Sequence, residues 1–160
     1  KGWSHTWITG NYIFYAATAI ATTLVAGPLI DRLGAVRLTP FMLAPLAAAL
    51  MMAALFNAPW VATAYLVLAG VSSGISQLSV SALWPELYGV THLGAVRSLA
   101  AALGVFGSAL GPPIVGTLID QGFTMEHIYT FFALYCFVGT ALIIGALRYR
   151  RGTLQEPSTR

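Results

Sequence analysis

Apolar residues along this chain gather into long unbroken blocks, separated by short polar links. Five blocks stand out, at about residues 7–30, 38–56, 61–83, 98–119 and 128–147. A helix needs about 20 apolar residues to cross the hydrocarbon of a bilayer, and each block is of that order. Every Asp, Glu, Lys and Arg lies outside the blocks, as the cost of an unpaired charge in lipid requires. Asn57-Ala58-Pro59 reads as a tight turn between the second and third blocks, because Pro59 has no backbone donor. The pattern predicts an all-α membrane protein of five transmembrane helices.

The blocks differ in their polar content. The second, with Met42, Leu46, Leu50 and Phe56, and the fifth, with Phe131, Leu134, Phe137 and Ile143, are almost wholly apolar and read as lipid-facing supports. The first carries Asn11, Tyr15, Thr18 and Thr22 on one narrow stripe at helical spacing. The third has Tyr65, Ser72, Ser76 and Ser79 on one face and Gly70, Gly74, Gln77 and Ser81 on another. Two readings of such stripes stay open. Small and hydroxyl residues let membrane helices approach closely, and the same residues can line a water-filled cavity that hydrogen-bonds a solute. The amides of Asn11 and Gln77 must face protein or water, since an unpartnered amide in lipid costs several kcal/mol. The fourth block carries Gly104, Gly107, Ser108, Gly111 and Gly116 with Pro112-Pro113. Its glycines read as a packing surface, and the proline pair as a kink suited to gating.

Composition narrows the classes. Of 160 residues 58% are hydrophobic and 8% charged, against roughly 25% charged in soluble chains. The net charge of +3 does not point to nucleic acid, because the basic residues form no patch and sit at the ends of apolar blocks. Arg32, Arg37, Arg97, Arg148, Arg150 and Arg151 fall on one side of the predicted membrane, with Arg160 in the tail, whereas the other side holds only Lys1. The positive-inside rule makes the arginine side cytoplasmic and the N-terminus external. Trp3, Trp7, Trp60 and Trp84 suit interface anchors. The single cysteine, Cys136, reads as a small apolar packing residue, and no spacing suggests a metal or cofactor site. No cleavable signal is expected, and a chain entering its first span directly from Lys1 is expected to be a fragment of a longer protein. Gly70-Val71-Ser72-Ser73-Gly74 fits a hydrolase elbow pattern, but that pattern needs a strand-to-helix turn. His5, His92 and His127 all read as loop residues, so no histidine is expected at the depth of Ser72. Glu126 and His127 read as wet loop residues.

Gly27-Pro28-Leu29-Ile30-Asp31-Arg32-Leu33-Gly34-Ala35-Val36-Arg37 follows the first block. It resembles the G-x-L-x-D-R-x-G-x-x-R signature of the major facilitator superfamily. It departs at Ala35 and Val36, where basic residues are common, as in the weaker copy between the eighth and ninth helices. Leu93-Gly94-Ala95-Val96-Arg97 repeats Leu33-Gly34-Ala35-Val36-Arg37 letter for letter. Trp84-Pro85-Glu86 followed by Arg97 resembles the acidic-then-basic pair after the family's tenth helix. Gly111-Pro112-Pro113 with Gly116 and Asp120 resembles its eleventh.

The resemblance covers the chain to about Arg151, and implies helices eight to twelve of a twelve-helix plan. Residues 1–151 would be a partial C-terminal bundle, residues 152–160 a cytoplasmic tail, and the N-terminal half would be a missing partner. It implies a secondary transporter in the bacterial inner membrane, which moves a small organic solute by alternating access. Asn11, Tyr15, Ser72, Ser76 and Gln77 are the candidates for the cavity wall. Gly27, Asp31, Arg32, Gly34, Arg37, Glu86 and Arg97 are the candidates for a cytoplasmic gate, since such clusters latch the two halves of the family's transporters. Arg148, Arg150 and Arg151 read as solvated, topology-setting charges. With no charge inside a span, any coupled proton would be relayed by the absent helices. Two other classes compete: a non-transporting membrane subunit, and an intramembrane serine hydrolase using Ser72.

Overall fold

The computed structural model describes the backbone of residues 5–153 and the side chains of residues 6–149. Its elements are α1 (His5–Leu33), α2 (Ala35–Leu38), a 3-10 turn (Thr39–Phe41), α3 (Ala44–Leu55), α4 (Trp60–Tyr88), α5 (Leu93–Asp120) and α6 (Met125–Thr153). The described residues contain no strand. Five segments are long and apolar enough to cross a membrane: Thr6–Leu33, Ala35–Leu55, Trp60–Tyr88, Leu93–Asp120 and Met125–Tyr149. The fold is all-α with five spans. The helices overrun the apolar blocks, because the backbone stays helical through polar ends such as Asp31-Arg32 and Trp84-Pro85-Glu86. Lys1, Trp3 and residues 154–160 of the expected tail lie outside the described residues, as do the side chains of Arg150 and Arg151.

The second span differs from the single helix its sequence predicts. Pro40 sits in the 3-10 turn and Pro45 in the first turn of α3. A continuous helix would direct those two N–H groups at the carbonyls of Val36 and Phe41, and proline has neither N–H. The span is therefore assembled from α2, the 3-10 turn and a 12-residue α3. The fourth span shows the opposite behaviour, since α5 runs without interruption through Pro112 and Pro113.

Helix α4 is the hub, packed against α1, α2 and α3. Contacts between α1 and α4 rise together along both helices, from Asn11 with Thr63 to Tyr15 with Ser73, and Ala35, just past the end of α1, meets Glu86 near the end of α4, so the two run parallel. Helices α3 and α6 run antiparallel, with Leu43 against Gly139 at one end. Ala47, Leu50, Ala133 and Cys136 form their buried seam, so the two apolar supports pack on each other. Cys136 is a free, buried thiol. Helix α5 is the exception, since none of its residues is buried. A Cβ added at Gly104, Gly107, Gly111 or Gly116 would meet nothing within 4 Å. The packing expected of these glycines has no partner among the described residues.

Candidate functional site

The two faces of α4 have different neighbours. Gly70 and Gly74 lie against α1, where a Cβ on Gly70 would collide with Thr18 Oγ1 and come within 2.6 Å of the Tyr15 carbonyl. A Cβ on Gly74 would sit 2.8 Å from the Ala19 carbonyl and 2.9 Å from Thr22 Cβ. Small residues one helical turn apart thus bring the two backbones together, as membrane helices require when lipid supplies no hydrophobic drive. Thr18 Oγ1 donates within α1 to Phe14 at 2.7 Å and lies 3.3 Å from the Val67 carbonyl across the seam.

Asn11 is 5% exposed, and both polar atoms of its amide have a partner. Its amide nitrogen donates to the Trp7 carbonyl and its oxygen accepts from Thr63 Oγ1, each at 2.7 Å. Tyr15 donates to Ser73 Oγ at 3.1 Å. Both residues tie α1 to α4. Interhelical bonds of this kind average below about 1 kcal/mol in membranes. An Asn11→Ala and Thr63→Val cycle is therefore expected to give a coupling of about 0.6 kcal/mol, read from unfolding in detergent. A coupling of zero would show the bond to be ornamental.

The serine face of α4 is turned toward the second span. Ser72, 4% exposed, donates to the Met42 carbonyl at 2.6 Å, where the backbone passes from the 3-10 turn into α3. Ser79 is fully buried, and its hydroxyl has no hydrogen-bond partner among the described residues. Ser76 is half-buried. Gln77 is exposed. It lines a groove of about 290 Å³ between α1 and α4 with Ser73, Gly74, Ala19, Thr23 and Ile20. Of the five wall candidates, only Gln77 lines this groove, while Asn11, Tyr15 and Ser72 are engaged in helix contacts. Ser73, Thr23 and Thr63 were missed by sequence reasoning. Extending the Gly70/Gly74/Gln77 face back by two turns reaches Thr63, and Ser73 is the serine beside the one chosen.

The gate candidates share one end of the bundle. Gly34 breaks the chain between α1 and α2 with φ +83° and ψ 148°. There the Glu86 carboxylate, from the end of α4, accepts from the backbone N–H of Ala35 at 2.7 Å. The acid thus caps the start of α2, where free N–H groups favour a negative charge. Asp31, Arg32, Arg37 and Arg97 are exposed, and among the described residues none of them is in an ion pair. Arg97 lines a groove between α4 and α5 with Ser81 and Trp84. Gly27 has open space where a side chain would be.

A family model described as Major Facilitator Superfamily matches residues 2–160. The chain belongs to the Major Facilitator Superfamily. Neither a curated protein nor a solved structure matches it. Membership makes it part of a multi-pass membrane transporter, and points away from an enzyme. The Ser72 hydroxyl is donated to the Met42 carbonyl. His92 precedes α5, but His5 is the first residue of α1, and Glu126 and His127 lie in the first turn of α6 rather than in a loop, with His127 Nδ1 2.9 Å from Thr124 Oγ1. Among the described residues no cluster of His, Cys, Asp and Glu is arranged to hold a metal.

Proposed function

We propose that this superfamily member is a secondary transporter, moving a small organic solute across the cytoplasmic membrane by alternating access. The observation that carries the reading is the groove between α1 and α4 near mid-membrane, where the Gln77 amide is exposed beside two hydroxyls, Ser73, which accepts from Tyr15, and Thr23, which donates to the Ala19 carbonyl and keeps its lone pairs for a solute. An amide open to such a groove inside a lipid-spanning helix calls for water or a solute. The arginine-rich end is the cytoplasmic one by the positive-inside rule. There Asp31, Arg32 and Arg97 serve as latch residues toward the other half of the transporter, and Glu86 holds α2 in place. The bare face of α5 is the seat for further helices of the same transporter. Coupling to a proton would draw on carboxylates or histidines outside these spans.

The test is transport by the full-length protein in proteoliposomes, against a panel of labelled organic acids, sugars and amino acids. Gln77→Leu and Thr23→Val are each expected to lower kcat/KM for the transported solute about tenfold, the equivalent of one hydrogen bond. Their melting temperatures should match that of the parent. Unchanged transport in both variants, or no accumulation of any solute in the panel, would refute the proposal.

A further inference from the structure

A second concavity, separate from the α1–α4 groove, lies between the start of the second span and the end of the fifth. It has a volume of about 380 Å³ and is lined by Arg37, Pro40, Phe41, Ile144, Leu147 and Arg148, with nothing from α1 or α4. Both arginines are exposed, and neither is in an ion pair among the described residues. No carboxylate lines the groove. Two positive charges thus face one space without a counter-ion.

The order along each span matters. Phe41 follows Arg37 by four residues, and Ile144 precedes Arg148 by four. The second span runs into the membrane from Arg37, and the fifth runs out of it to Arg148. On both sides of the groove, then, an apolar residue lies about one helical turn deeper than the arginine. Phe41 is 64% exposed there. The arrangement has cations at headgroup level and a greasy channel beneath them.

We infer that this groove is a binding site for an anionic phospholipid, whose phosphate pairs with Arg37 and Arg148 and whose acyl chain lies along Phe41 and Ile144. Guanidinium groups suit phosphate because their planar donors meet its oxygens in pairs. A soluble anion would have no use for the exposed ring of Phe41. Basic pockets between spans at one membrane face are the expected seats of such headgroups. The inference rests on the membrane assignment and stands whether or not the α1–α4 groove carries a solute. It removes Arg37 from the latch, because its charge is directed to lipid beside α6.

The test uses the full-length protein, delipidated in detergent and titrated with phosphatidylglycerol or with phosphatidylcholine of the same chains. Binding is followed by native mass spectrometry and by the melting temperature. Phosphatidylglycerol is expected to bind roughly thirtyfold more tightly than phosphatidylcholine, as two surface arginines predict. Arg37→Gln with Arg148→Gln should abolish the preference, and Arg37→Lys with Arg148→Lys should retain much of it. Ile144→Trp fills the channel while leaving both charges, and should weaken both lipids, which carry the same chains, without reversing the preference. Arg97→Gln, which removes a charge from the same end of the bundle, should leave the preference intact. Equal binding of the two lipids would overturn the inference, as would an equal loss in Arg97→Gln. Displacement of phosphatidylglycerol by millimolar inorganic phosphate would also overturn it, in favour of a free-anion site.

Discussion

Alanine at Gly70 is expected to destabilise the protein by about 3 kcal/mol, near the upper end for overpacking a tight interior. A methyl group there meets two obstacles of different kinds. Thr18 Oγ1 belongs to a side chain and can turn aside, but the Tyr15 carbonyl, 2.6 Å away, is backbone and moves only if α1 does. Thr18→Ala should therefore rescue Gly70→Ala in part and never fully. Gly145→Ala on α6 is the control, because a Cβ there meets nothing within 4 Å. At an exposed helix position it should raise stability, by no more than about 1 kcal/mol. Thermal melts of the three variants in detergent decide the matter. If Gly70→Ala melts with the parent, the seam between α1 and α4 is looser than described.

Alanine at Gly34 should cost about 2–3 kcal/mol, in the range for backbone held where only glycine is comfortable. The φ of +83° with ψ near 148° is closed to side chains, and the new methyl would also lie 3.1 Å from Glu86 Oε1. Glu86 has its own cost of removal. Ala35 is 0% exposed, so Glu86→Ala strands its N–H without water, at about 1–3 kcal/mol. Glu86→Gln keeps an acceptor oxygen and should cost much less. The two sites share a partner, so Gly34→Ala with Glu86→Ala should fall short of the sum of the single effects. Strict additivity in chemical unfolding would mean that the carboxylate and the turn are independent.

The spans were legible because the bilayer imposes one length on all of them, and apolar blocks report it directly. The interruption at Thr39–Leu43 was not, since Pro40 and Pro45 sit in a block whose hydrophobicity reads the same helical or broken. The close approach at Gly70 and Gly74 was legible as a small-residue pattern. Which polar residues it would consume was not, because Asn11 and Gln77 look alike until the position of Thr63 is known. At the arginine-rich end, the sequence singled out Glu86 but suggested arginine partners. Its actual partner is a main-chain N–H, which no residue letter encodes. The serine stripe of α4 was visible by spacing, yet its destination depended on a carbonyl at Met42 that only the broken span exposes.

That broken span has a mechanical consequence. Helix α3 has 12 residues and reaches about 18 Å, well short of the roughly 30 Å of hydrocarbon. The rest of the crossing is made by a joint whose main-chain needs are met piecemeal, by Thr39 Oγ1 on the Ala35 carbonyl at 2.8 Å and by Ser72 on Met42. A rod with one soft coupling stretches at the coupling. A mismatch in bilayer thickness therefore falls first on this joint, which Pro40 and Pro45 keep from closing into continuous helix, while the unbroken helices beside it meet the same mismatch by leaning.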